Sequence, residues 1–145
     1  MAIVTLGLLA PWNPALRPGK NAVLIVHAYH AAGLQQKVTV SGPGIPGSIT
    51  GTSTPGTPMG TVFLSKEVKL DAAAIRDIPL LYTLDLKYIE NGKECDPTVL
   101  AIQGTQLGPC CVSAFAFAND KNGPAFDLDF NDTVVTLSLF PYSAD

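Results

Sequence analysis

The chain has 145 residues, with 9 Lys or Arg against 12 Asp or Glu, and a formal net charge of −3. This length is enough for one domain with a sizeable core. The basic residues are spread singly from Arg17 to Lys121, which excludes a basic surface for a phosphate backbone and predicts no nucleic-acid partner. Thirteen Gly and twelve Pro disfavour long helices and favour an all-β domain with many turns.

The first segment, residues 2–9, is predicted to be a buried strand. It is apolar, but no positively charged region precedes it, and Pro11 and Pro14 follow soon after. This arrangement differs from a secretory signal peptide, so we expect a protein that is cytoplasmic or exported without a leader. No apolar run reaches the roughly 20 residues that a membrane span requires.

Runs rich in Val, Ile, Thr and aromatic residues recur along the chain between turn signals, as is typical of a sandwich or barrel. A short helix is predicted at 71–76, with Asp71 as its N-cap and Pro79 after its end. The sequence therefore predicts an all-β fold, a single-domain antiparallel β-sandwich of about nine strands spanning residues 1–145. The candidate strands are 2–9, 22–30, 35–41, 47–52, 60–69, 79–90, 93–103, 110–118 and 132–140.

The clearest hairpin begins with the strand from Tyr82 to Glu90, in which apolar and charged residues alternate. It is followed by Asn91-Gly92, a pair that suits a type I′ turn because both central residues need positive φ. Three cysteines, Cys95, Cys110 and Cys111, have neither zinc spacing nor a C-x-x-C redox pair. A disulfide from Cys95 to either of the other two, or three free thiols, are both compatible with the sequence.

Acidic residues concentrate near the C-terminus, where four of the twelve fall within 13 positions, at Asp120, Asp127, Asp129 and Asp132. In an extended loop the alternate residues Asp127, Asp129 and Asn131 would project to one side, with Asp132 adjacent to them. Carboxylates at this spacing repel one another unless a cation lies between them. Hard oxygen ligands of this kind suit Ca²⁺.

Two other interpretations of this segment fit the sequence less well. An EF-hand loop starting at Asp127 would need Gly at its sixth position and Glu at its twelfth, and those positions hold Asp132 and Ser138. A solvated acidic turn needs no metal, but the abrupt strong strand that follows the segment favours a calcium loop.

The stretch Asp127-Leu-Asp129-Phe-Asn131-Asp132-Thr-Val-Val resembles the D-x-D-[YF]-N-D-x-V-V segment of the calcium-dependent bacterial fucose- and mannose-binding lectins, the lectin II family. The segment from Pro18 to Val40, with Ala28-Tyr29-His30-Ala-Ala-Gly33, is similar to the first hairpin of that family. Phe115-Ala-Phe117 before the acidic loop also fits the family's pattern.

The resemblance implies one or two Ca²⁺ ions held by Asp127, Asp129, Asn131 and Asp132, with Asp120 as the nearest candidate for a further acid. In that family the ions are in turn bound by hydroxyls of a monosaccharide. The implied function is a calcium-dependent lectin without catalytic residues, which binds a fucose- or mannose-like sugar and forms a homo-oligomer. His30, Asp127, Asp129 and Asp132 would line the sugar site. His30 stands where the family has a ligating Asn.

Alternatives from other classes stay open. Calcium could only rigidify the loop 119–132 of a structural or adhesive β-domain, without any sugar ligand. His27 and His30 lie close together on one predicted strand and, on a shared face, would make a small zinc pair. An enzyme is not expected, because the chain has no G-x-S-x-G motif and no basic partner near Cys110-Cys111.

Overall fold

In the part of the chain that its computed structural model describes, the regular structure consists of ten β-strands. The residues that the structure describes are 2–8, 21–31, 34–55, 58, 60–70, 80–106, 111–119 and 132–142, and within them there is no helix. The strands are β1 (Ile3–Leu8), β2 (Asn21–His30), β3 (Gln35–Ser41), β4 (Ile49–Thr52), β5 (Thr61–Leu70), β6 (Leu80–Glu90), β7 (Lys93–Cys95), β8 (Thr98–Gln106), β9 (Val112–Asn119) and β10 (Thr133–Tyr142).

The strands form two five-stranded antiparallel sheets. Sheet A has the order β1-β6-β3-β4, with β7 also paired to β6, and sheet B has the order β5-β2-β10-β9-β8. The predicted antiparallel β-sandwich is therefore confirmed. The predicted short helix at 71–76 lies outside the described residues.

The core lies between the inner faces of the two sheets, because inward and outward residues alternate along each strand. In β3 the buried positions are Gln36, Val38 and Val40, and in β10 they include Leu137 and Leu139. Burying each such aliphatic side chain contributes about 1.5–3 kcal/mol to folding. The apolar alternation that predicts the strands is thus the same pattern that fills the core.

A fully buried tyrosine closes one part of this core. Tyr82 on β6 has no exposed surface, and its hydroxyl donates a hydrogen bond of 2.9 Å to the carbonyl oxygen of Pro43. Burial raises the pKa of the Tyr82 hydroxyl well above its usual range. The loop after β3 is thereby fastened to the core of sheet A.

The hairpin turn is confirmed, but the strand after it differs from the prediction. Asn91 and Gly92 both have positive φ, of 52° and 76°, and Glu90 pairs with Lys93 across a two-residue turn. The predicted strand 93–103 is two strands, because the chain leaves sheet A after β7 and enters sheet B at β8. Pro97 lies between them and has no N–H for a continuous ladder.

The two sheets approach closely where β1 lies beside β8. The side-chain amide of Gln103 accepts a hydrogen bond of 2.8 Å from the Gly7 N–H and donates one of 3.0 Å to the Thr5 carbonyl oxygen. A Cβ at Gly104 would collide with the carbonyl oxygen of Gly7, so only glycine fits there. The register of β8 against β9 shifts between Ile102 and Thr105, so Gln103 and Gly104 lie in a β-bulge.

Cys95 and Cys111 are both free thiols, so the disulfide that the sequence left open does not join these two residues. Cys110 lies outside the described residues. Within the part of the chain that the structure describes, no helix is long and apolar enough to cross a membrane.

Candidate functional site

The predicted site lies at one end of the sandwich, where β2 and β9 end and β10 begins. Thr133, the first residue of β10, is paired with Ala118 of β9 on one side and with His30 of β2 on the other. The connection from β9 to β10 carries the acidic segment. The loop predicted to bind calcium therefore leaves from, and returns to, the two central strands of this end of sheet B.

Asp132, the residue just before β10, is held from both sides by its backbone. Its N–H donates to the carbonyl oxygen of Ala118 over 3.0 Å, and its own carbonyl oxygen accepts from the N–H of Ala31 over 3.2 Å. Only 9% of Asp132 is exposed. The last residue of the acidic segment is thus fixed to the ends of both neighbouring strands.

Of the six predicted site residues, the structure describes His30 and Asp132 and brings them to adjacent strand ends. Asp120, Asp127, Asp129 and Asn131 lie outside the described residues. Within the described ranges, no three His, Cys, Asp or Glu side chains lie close enough together to hold a metal ion. The remaining donors for a calcium site would come from the acidic loop.

His30 points into the sandwich and is 2% exposed. Its ring lies 6.0 Å from the ring of Phe63, with 57° between their planes. It therefore does not end its strand in solvent. His27 lies three residues earlier, on the opposite, outer face of β2 with Ile25 and Tyr29, so the zinc-pair interpretation is wrong.

A cluster of buried polar side chains lies beneath this end, and sequence reasoning missed most of it. Its hydrogen bonds run from Thr133 Oγ1 to Gln36 Oε1 at 2.8 Å, from Gln36 Nε2 to the Leu34 carbonyl oxygen at 3.0 Å, and from the Gln36 N–H to Ser53 Oγ at 2.8 Å. We call the hydrogen-bonded residues Gln36, Ser53 and Thr133 the polar cluster; each is at most 2% exposed, and His30 and Asp132 at the neighbouring strand ends are at most 9% exposed.

The alternation of inward and outward residues in β3 could have predicted that Gln36 is buried. Val38 and Val40 predict one inward face, and extending that alternation by two residues toward the N-terminus places Gln36 on it. A polar residue at an inward position requires a hydrogen-bond partner. Its partner Thr133 is 97 residues away, so no local rule could identify it.

Charged side chains outside the site form ion pairs on the outer side of sheet A. Lys87 bonds to Asp96, and this hydrogen bond holds the pKa of the Asp96 carboxyl at about 2, with the Ala2 N–H adding to the effect. Lys37 bonds to Glu94 over 2.6 Å and lowers the pKa of that carboxyl. These acids are paired with lysines and lie on a different face from the candidate site.

Comparison with known proteins finds similarity in fold alone. No family model matches the chain, and no curated protein matches it. Solved structures do match over nearly the whole length, and the three reported below are bacterial lectins. The chain therefore has the β-sandwich fold of these lectins.

The lectin CV2L of Chromobacterium violaceum, solved in complex with alpha-methyl-fucoside, superposes with a TM-score of 0.56 at 13% identity and covers 99% of this chain and 98% of its own. The high-affinity mannose-binding lectin of Ralstonia solanacearum gives 0.53 at 16% identity, with coverages of 99% and 98%. The C-terminal domain of the lectin BC2L-C from Burkholderia cenocepacia gives 0.59 at 14% identity, with 96% of each chain covered.

Proposed function

We propose that this protein is a lectin that binds a fucose- or mannose-like sugar through calcium, without catalysis. The observation that carries the proposal is the position of Asp132. The final residue of the D-x-D-F-N-D segment lies at the junction of β2, β9 and β10, in a fold shared over nearly its whole length with bacterial lectins. Two of those lectins are described as bound to a fucoside or as mannose-binding.

In this proposal the acidic loop supplies the metal ligands. Asp127, Asp129, Asn131 and Asp132 would hold one or two Ca²⁺ ions, and Asp120 would add a further carboxylate. Bound calcium would exchange its water for neighbouring sugar hydroxyls. The four aspartates carry charge −4, which balances two ions, and hydrogen bonds at Asp132 fix the end of the loop.

The second candidate function is structural, with calcium only rigidifying the loop 119–132 of an adhesive β-domain. The fastening of Asp132 to Ala118 and Ala31 also favours this reading, because a fixed loop end is useful with or without a sugar. A glycan array with the parent protein, read in calcium and again in chelator, separates the two functions. Sugar signals that vanish with chelator support the lectin, and an array without signal under both conditions contradicts it.

The proposal includes a homo-oligomer, and the outer face of sheet B supports it. We call this surface the aromatic face. One row across the sheet is apolar throughout: Val62, Tyr29, Val134, Phe117 and Leu100. The next row is Ser65, His27, Thr136, Phe115 and Ile102. The rings of Phe115 and Phe117 are nearly parallel and 6.1 Å apart.

The size of the aromatic face suits a second copy of this chain. Five strands about 4.8 Å apart and about seven residues of 3.3 Å each give a face of roughly 24 by 23 Å. With the relief of its side chains, such a face approaches the about 800 Å² per partner of a standard interface. The outer face of sheet A mixes exposed apolar residues, Ile3 and Leu81, with the charged Asp85, Lys87 and Lys37, so it has no comparable apolar row.

A further inference from the structure

Gln36 occupies an unusual place, since it is a fully buried polar residue between the two sheets, directly under the candidate site. Its side chain holds two segments at once. Oε1 accepts from the hydroxyl of Thr133, the residue that follows Asp132, and Nε2 donates to the carbonyl oxygen of Leu34 in the turn after His30.

The two segments held by Gln36 are the ones from which the proposed site is built. The Thr133 bond runs from sheet B to sheet A, whereas the Asp132 backbone bonds stay within sheet B. If the buried amide lost one partner, a polar group would be left without a hydrogen bond and without water, which costs free energy. The arrangement with both hydrogen bonds is therefore strongly preferred. Gln36 therefore fixes the distance between the start of β10 and the turn after β2.

We propose that Gln36 is a positioning residue, which holds Thr133 and Leu34 at a fixed separation and through Thr133 sets the position of Asp132 for ligand binding. This inference rests on the proposed lectin function for its ligand, but its geometry is independent of any ion. Ser53 offers a matched control. Its hydroxyl is equally buried and accepts from the Gln36 N–H, but it joins β3 to the chain after β4 and does not reach Asp132.

The first test uses amide hydrogen exchange by NMR in calcium-free protein. Thr133→Val and Gln36→Met keep the side-chain volume but remove the cross-sheet bond. The Ala31 amide, which donates to Asp132, should exchange roughly five- to tenfold faster in both variants. The Leu86 amide, which donates to Ala2 in sheet A, and the Ala31 amide in Ser53→Ala should change less. Unchanged exchange of the Ala31 amide in both variants would overturn the positioning role of Gln36.

The second test measures calcium and methyl-fucoside or methyl-mannoside affinity by calorimetry. Thr133→Val and Gln36→Met should bind roughly five- to tenfold more weakly, and Thr133→Ser, which restores the hydroxyl, should bind like the parent. Ser53→Ala should melt earlier without losing affinity. Equal affinity loss in Ser53→Ala, at equal loss of stability, would reduce Gln36 to a structural role and overturn the inference. If the parent protein binds neither calcium nor sugar, the proposed function is overturned instead. The hydrogen-exchange result still decides whether Gln36 positions Asp132.

Discussion

The N–H of Ala31 donates a hydrogen bond of 3.2 Å to the carbonyl oxygen of Asp132, which joins the residue after β2 to the residue before β10. The segment Pro18–Val40 and the predicted calcium loop are far apart in the sequence, and this bond places Ala31 of the first beside Asp132, the last residue of the second. The end of β2 and the start of β10 therefore lie at the same end of sheet B, whereas β3 pairs in sheet A, so β2 and β3 do not form the hairpin that the resemblance implied.

Removing calcium should lower the melting temperature. Asp127, Asp129 and Asp132 repel one another in an empty site, and an ion that binds only the folded state adds about 2.7 kcal/mol at a hundredfold excess over Kd. For a domain of this size, that corresponds to a shift of roughly 5–10 °C. Calorimetric melts in calcium and in chelator measure it, and superimposable melts would exclude a loop-bound ion.

Asp129→Ala should abolish sugar binding while the protein stays folded, because the proposed function makes Asp129 a calcium ligand in a loop. Circular dichroism checks the fold, and a binding titration with methyl-fucoside and methyl-mannoside checks the function. Asp85→Ala is the control, since Asp85 lies on the outer face of sheet A beside Lys87. Parent-like sugar binding in Asp129→Ala would place the site elsewhere.

Acid should destabilise the protein in part through Asp96. The hydrogen bond from Lys87 lowers the folded-state pKa of Asp96 to about 2. The contribution of this carboxyl to stability is therefore complete above the pKa of an Asp side chain in the unfolded chain, about 4, and is lost as the pH falls toward 2. The free energy of unfolding, measured with urea at pH 5 and at pH 2.5, should change less between these two pH values in Asp96→Asn than in the parent.

Lys87→Met should shrink the pH dependence in the same way, because it removes the donor that lowers the pKa of Asp96. The double variant Asp96→Asn/Lys87→Met should add little to either single change. Independent, additive effects would mean that the pair does not act as a unit in solution.

Charges on the aromatic face should dissociate the proposed oligomer. Leu100 and Ile102 are 51% and 45% exposed there, so Leu100→Glu/Ile102→Glu should fold and run as a monomer in sedimentation experiments. The matched control is Ile3→Glu/Leu81→Glu on the outer face of sheet A, where the two residues are 46% and 55% exposed. A parent that is already monomeric, or dissociation caused equally by both pairs, would reject this interface.

Local chemistry explains which parts of the fold the sequence could predict. Asn91-Gly92 carries its turn type in its own backbone preferences, and the alternation around Val38 and Val40 predicts a strand without knowledge of its neighbours. The predicted strand 93–103 was too long because its apolar pattern continues across Pro97, although the chain there passes from one sheet to the other.

The candidate site was predictable only in part, for a similar reason. The acidic segment is contiguous, so a calcium loop can be predicted from the sequence alone. The bond between Gln36 and Thr133 joins residues that only the folded sandwich brings together. His27 and His30 show the converse, because closeness in sequence suggested a shared site while strand geometry separates them.

The side-chain amide of Gln103 affects whether other polypeptides can pair with β1. Among the described strands β1 pairs only with β6, and a strand border with unpaired N–H and C=O groups invites strand addition from another polypeptide. Gln103 already occupies the Gly7 N–H and the Thr5 carbonyl oxygen on that border. An incoming strand would first have to displace the glutamine, so this side chain protects the folded protein against aggregation through β1.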